Sequence, residues 1–115
     1  MVLFGIPNCD TVKKATVWLK ENNIDYTFHD YKKQGIDAAT LKNWCSQVGW
    51  ETLFNKKSTS WRALDAATQA AVTNQKKAIE IMVKNPSIIK RPVIEMDGKV
   101  VAVGFDEGKY QSVFK

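Results

Sequence analysis

The sequence predicts an α/β fold in which a four-stranded mixed sheet carries a helical insertion between its second and third strands. Three observations predict it. Residues 2–31 read strand, helix, strand. Residues 36–85 show helical spacing and no strands. Residues 93–114 read strand, turn, strand, helix.

Val2-Leu3-Phe4 is a short apolar, β-prone run ended by Gly5 and Pro7, the pattern of a buried strand. Val12, Ala15, Thr16 and Leu19 then recur at helical spacing, with Lys13, Lys14, Lys20 and Glu21 mostly off that face. This predicts an amphipathic helix from Asp10 to Asn22, stopped by Asn22-Asn23. Tyr26 to Tyr31 alternates as a second strand. The opening β-α-β unit favours a parallel strand pair with a right-handed crossover.

Asp37 to Val48 predicts a helix with Leu41, Trp44, Cys45 and Val48 on one face, ended by Gly49. Residues 51–61 read as a polar loop anchored by Leu53, Phe54 and Trp61. Helical character returns from Leu64 to Val72 and again from Asn74 to Asn85, where Ala78, Ile79, Met82 and Val83 face inward and Pro86 stops the helix. Val93–Met96 and Val100–Val103 flank Asp97-Gly98, a strong hairpin signal because both central turn residues take positive φ. A last helix, Asp106 to Phe114, closes the chain. This order is that of a thioredoxin-like fold, with Cys9 between the first strand and first helix and Pro92 just before the third strand. A chain of 115 residues suits one domain. Residues 1–35 and 86–115 are expected to form its core and residues 36–85 the insertion.

Hydrophobic residues at 44% and charged residues at 25% match the globular average and exclude wholesale disorder. No apolar run approaches the roughly 18–20 residues of a membrane span, and no basic segment followed by an apolar one opens the chain. A soluble, cytoplasmic monomer without a membrane partner is expected. The net charge of +5 points to an anionic partner, such as an oxyanion, the carboxylates of glutathione or nucleic acid. The lysines come in pairs rather than in a basic block, so nucleic acid is the least expected of these.

Two cysteines, Cys9 and Cys45, and one histidine, His29, make neither a disulfide framework nor a metal-ligand set, so no metal is expected. Cys9 stands at the helix N-terminus, where unpaired amides and the positive end of the macrodipole favour thiolate over thiol. Thr11 can offer a hydroxyl to the sulfur, and Lys13 with Lys14 adds positive potential. Position 12 is valine, so the second cysteine of a C-x-x-C pair is missing and resolution falls to an external thiol or to Cys45. Cys45 reads as a small buried hydrophobe. In thioredoxin-like folds the proline at position 92 is cis and packs against the active cysteine. Arg91 then reaches the same rim and can pair with an anion or with the thiolate. Lys56 and Arg62 are the candidate substrate-binding residues, with Lys57 beside them. Trp18, Trp44, Trp50 and Trp61 read as core and subdomain residues.

The opening Phe4-Gly5-Ile6-Pro7-Asn8-Cys9-Asp10-Thr11-Val12-Lys13-Lys14-Ala15 resembles the arsenate reductase-like (ArsC/Spx) family, as does Ser87-Ile88-Ile89-Lys90-Arg91-Pro92-Val93. Residues 53–62 and the ending Val103-Gly104-Phe105-Asp106-Glu107 resemble its YffB branch. The resemblance implies a thioredoxin-like fold and a single N-terminal catalytic cysteine working with glutathione or glutaredoxin. No cofactor is implied as bound; glutathione is a co-substrate, and the substrate is a small anion or a disulfide. The catalytic cysteine of the glutathione-linked arsenate reductases maps onto Cys9, and the arginine before the proline onto Arg91. Two further oxyanion-holding arginines fall on Asn55 and Gly104, and a histidine shortly before the cysteine falls on Gly5. The expected function is a glutathione-dependent thiol reductase. The alternatives are an Spx-like adaptor of RNA polymerase and an arsenate reductase with an incomplete oxyanion site.

Overall fold

The computed structural model describes all 115 residues, Met1–Lys115. In chain order the elements are β1 (Val2–Gly5), α1 (Asp10–Glu21), β2 (Thr27–Asp30), α2 (Tyr31–Gln34), α3 (Ala38–Val48), α4 (Trp50–Leu53), α5 (Thr59–Arg62), α6 (Ala66–Ala71), α7 (Gln75–Lys84), a 3-10 turn (Pro86–Ile88), β3 (Val93–Met96), β4 (Lys99–Val103) and α8 (Glu107–Phe114). They form two compact units, Met1–Gln34 with Arg91–Lys115, and Gly35–Lys90.

The first unit holds the sheet, in the order β2-β1-β3-β4. β1 pairs with β2 in parallel, from Val2↔Thr27 to Gly5↔Asp30. It pairs with β3 antiparallel, from Val2↔Glu95 to Phe4↔Val93. Leu3 and Phe4 point to opposite faces of this central strand, and both are buried. On the Leu3 face the core is Val12, Ala15, Trp18 and Leu19 of α1, Ile94 and Ala102 of the sheet, and Tyr110 of α8. The Trp18 and Tyr110 rings meet edge to face at 5.4 Å, and the Tyr110 hydroxyl donates to the Gly104 carbonyl at 2.7 Å. Gly5 is required by this packing: a Cβ there would lie 2.9 Å from Cγ2 of Val12. At the hairpin, Asp97 and Gly98 take φ of 51° and 80°, the values a tight β3–β4 turn demands.

β2 is shorter than the alternation predicts. Asp30 ends it, because its carboxylate accepts the Lys32 N–H at 2.8 Å and its own N–H goes to the Gln34 side chain, turning the chain into α2. Tyr31 therefore lies beyond the strand.

The second unit is helical. α3 touches α4 and α7, and its buried face is Leu41, Trp44 and Cys45. The loop expected over residues 51–61 contains two single helical turns. Ser58 caps the second, accepting the Trp61 N–H at 3.1 Å, and Phe54 bridges the rings of Trp50 and Trp61. Val83, expected inward, is exposed. Asp65 caps α6, so the helix expected from Leu64 starts at Ala66. Residues 86–90 belong to this unit and not to the core segment. The Asn55 N–H donates to the Ile88 carbonyl at 2.8 Å, the Lys90 N–H to the Leu53 carbonyl at 2.7 Å, and Phe54 bridges to Ile89.

Candidate active site

The topology of the first unit brings three chain segments to one end of the sheet. β1 and β2 are parallel, so both finish there. β3 runs the other way and begins there. Cys9 follows the end of β1, Tyr31 follows the end of β2, and Arg91-Pro92 precedes β3. In open α/β sheets the carboxyl ends of parallel strands are where ligands bind.

Cys9 is the N-cap of α1, with extended backbone (φ −110°, ψ 123°), and Asn8 before it takes φ 62°. The Cys9 carbonyl accepts the Lys13 N–H at 2.9 Å, as an N-cap carbonyl does. The side chain behaves differently from the other caps. Asp37, Ser58, Asp65, Asn74 and Asp106 each accept an N–H of the helix they open through a side-chain oxygen. The Cys9 sulfur makes no regular cap bond of that kind. The first amides of a twelve-residue helix therefore face a sulfur atom, and they interact with it best when it is charged.

Burial works against ionisation of Cys9. It is outweighed by the Val12 N–H, by the Arg91 guanidinium acting both as donor and as charge, and by the Thr11 N–H, so the thiol ionises below its ordinary value. Thr11 acts through its main chain, where the sequence suggested its hydroxyl. Lys13 lines a hollow of about 500 Å³ beside Cys9, together with Ile6, Pro7, Thr16 and Phe28. The side-chain charge that acts on the sulfur is that of Arg91. The Arg91–Pro92 peptide is cis and Pro92 is buried. Its carbonyl accepts the Gly104 N–H at 2.8 Å, tying the start of β3 to the end of β4.

Cys45 is the contrasting thiol. It is 5% exposed on the apolar face of α3, and burial pushes its thiol above the ordinary value. Lys56 and Arg62 lie in the second unit. Lys56 lines a hollow of about 380 Å³ there with Lys57, Lys90, Trp50 and Phe54, and Arg62 is exposed at the end of α5.

Sequence reasoning gave Tyr31 no role. It is 2% exposed, with its ring 6.2 Å from that of Phe4 and 5.9 Å from that of His29. Arg91 lies within electrostatic reach of its hydroxyl. The available signal was a phenol one residue past a strand whose parallel neighbour leads to the cysteine.

Comparison with known proteins agrees with this architecture. A sequence profile described as the ArsC family matches residues 4–113. The solved structure of a YffB protein is 46% identical, covers 99% of this chain and 98% of its own, and superposes with a TM-score of 0.93. An arsenate reductase (ArsC) related protein from Brucella melitensis is 47% identical over 99% of this chain and 93% of its own, with a TM-score of 0.76. The global transcriptional regulator Spx of Streptococcus pyogenes serotype M3 is 27% identical over 97% of this chain and 83% of its own. The thioredoxin-like fold of these relatives is the fold described above.

Proposed function

We propose that this chain, which belongs to the ArsC family, is a glutathione-dependent thiol reductase with Cys9 as its one reactive sulfur. The observation that carries the reading is the Arg91 guanidinium brought to the Cys9 sulfur at the start of α1, where it helps to outweigh the burial that disfavours a thiolate.

The reaction balances with glutathione as the only reductant. The Cys9 thiolate attacks the glutathione sulfur of a mixed disulfide. A Cys9–glutathione disulfide forms, the substrate's S–S bond breaks, and the substrate leaves as a thiolate that takes up a proton. A second glutathione thiolate then attacks the glutathione sulfur on Cys9. Glutathione disulfide leaves and the Cys9 thiolate is restored; the net reaction converts the substrate's mixed disulfide and one glutathione into the substrate thiol and glutathione disulfide. Glutaredoxin can stand in for the second thiol. Val12 occupies the position where a C-x-x-C enzyme keeps its resolving thiol, and Cys45 is buried, which supports an external reductant. Glutathione and free thiols belong to a reducing compartment, so the site of action we propose is the cytoplasm.

Arsenate reduction is less well supported. The family's further anion-holding positions are Gly5, Asn55 and Gly104 here. A side chain at Gly5 would collide with Val12, Gly104 takes φ 81°, and the Asn55 carboxamide accepts the Lys57 N–H at 3.0 Å. The likeness to Spx supports a second reading, a protein-docking regulator, which requires that Cys9→Ser keep full function in cells.

The deciding experiment is peptide mass spectrometry after incubation with oxidised glutathione. The adduct is expected on Cys9, absent from Cys45 and abolished by Cys9→Ser. An adduct on Cys45 alone, or none, removes the reading.

A further inference from the structure

The Tyr31 hydroxyl is buried and makes no hydrogen bond within the protein. This is uncommon, because a buried hydroxyl normally has a hydrogen-bond partner, in the protein or in an ordered water. The ring packs against those of Phe4 and His29. Burial holds the phenol far above its ordinary titration, the Arg91 cation lowering it only in part. It keeps its proton at neutral pH and stands ready as a donor.

Its position gives the missing partner a chemical identity. β2 and β3 flank β1 in the sheet, so Tyr31 and Arg91 stand on either side of the strand that leads to Cys9. A ligand joined to Cys9 and paired with Arg91 brings an anionic acceptor into this neighbourhood. We propose that the Tyr31 hydroxyl is a substrate-binding donor, which together with Arg91 holds a carboxylate of the thiol or disulfide substrate. The inference rests on the reading of Cys9 as the reactive sulfur and adds a substrate class: carboxylate-bearing thiols over neutral ones of equal reactivity.

The test compares wild type with Tyr31→Phe, which removes one oxygen and keeps the ring. S-methylglutathione is the probe, since it carries glutathione's carboxylates and no reactive sulfur. Its binding is followed by NMR. Tyr31→Phe is expected to weaken binding about tenfold or more, equivalent to about 1.4 kcal/mol. The melting temperature is expected to stay unchanged or rise, because the oxygen lost had no partner inside the protein. In wild type carrying 13Cζ-labelled tyrosine, the Tyr31 resonance is expected to move on saturation while those of Tyr26 and Tyr110 stay. This second measurement decides the matter if the variant does not fold. Equal affinity of the two chains, no binding by wild type, an unmoved Tyr31 resonance or a clear drop in melting temperature each overturns the inference.

A parallel measurement with the neutral 2-hydroxyethyl disulfide separates this inference from the reading beneath it. If both chains form the Cys9 mixed disulfide at equal rates while S-methylglutathione binds them equally, the Tyr31 inference fails and the Cys9 reading stands. If Cys9 reacts with no disulfide, the Cys9 reading fails, and the binding data still decide on Tyr31.

Discussion

Replacing Arg91 by alanine removes from Cys9 both a hydrogen-bond donor and a positive charge, leaving the Val12 and Thr11 N–H groups to oppose burial alone. A hydrogen bond to a charged group contributes about 1.5–3 kcal/mol. Cys9 is partly open to water, which screens the interaction, so about 1.4 kcal/mol is the appropriate size, a tenfold loss of thiolate below the titration. The remaining thiolate is the more basic one, and nucleophilicity rises with basicity with a slope of about 0.4–0.5, a gain of roughly threefold. The two effects oppose each other. Iodoacetamide alkylation of Cys9, followed by mass spectrometry from about pH 5 to about pH 10, is expected to slow about threefold on the acid side and to quicken about threefold on the alkaline plateau. The wild-type and variant profiles therefore cross. Superimposable profiles, or a uniform drop without displacement along the pH axis, would refute the electrostatic role of Arg91. Stability carries the same sign. The folded chain favours ionised Cys9, so that contribution is present above the unfolded thiol's titration and is lost as pH falls through the folded one. Arg91→Ala should lower the melting temperature more at alkaline than at acid pH.

The two cysteines should separate kinetically. At neutral pH in the native protein, a thiol reagent is expected to label Cys9 rapidly and Cys45 only after denaturant is added; fast labelling of Cys45 would contradict its burial. Gly5→Ala drives a Cβ to 2.9 Å from Val12 at the first turn of α1. Overpacking of this kind costs about 1–3 kcal/mol, and each kcal/mol lowers the melting temperature of such a domain by about 4–8 °C, readable by calorimetry. Asp106→Ala removes the cap that accepts the Lys109 N–H at 3.0 Å. It is expected to cost about 1 kcal/mol in urea unfolding while leaving the Cys9 alkylation profile in place.

What was legible in the sequence was what local rules dictate. The spacing of Val12, Ala15 and Leu19 marked the buried face of α1, and Asp97-Gly98 marked the β3–β4 turn. Cys9 and the Arg91-Pro92 pair stand out in the sequence because each sits at a junction between elements, and the strand directions bring both to one end of the sheet. The features missed depend on partners distant in sequence or on a single cap. α4 and α5 are one turn each, too short to show a period, and α5 depends on Ser58. The residues after Pro86 side with the helical unit because Leu53 and Asn55 hydrogen-bond to them, which no window of local sequence reveals. Tyr31 fits the strand alternation in sequence, and it is the Asp30 carboxylate, accepting the Lys32 N–H, that turns the backbone out of the strand at that point.

The order of the sheet has a consequence for biosynthesis. Phe4 meets its parallel partner His29 early, but its antiparallel partner Val93 is made only after Gly35–Lys90 has been synthesised. Until then β1 and β2 can form at most a two-stranded ribbon, which is marginal in water. Arg91 arrives with the segment that carries β3. The nascent chain therefore carries a thiol at position 9 that lacks its arginine until the segment after Lys90 has been made.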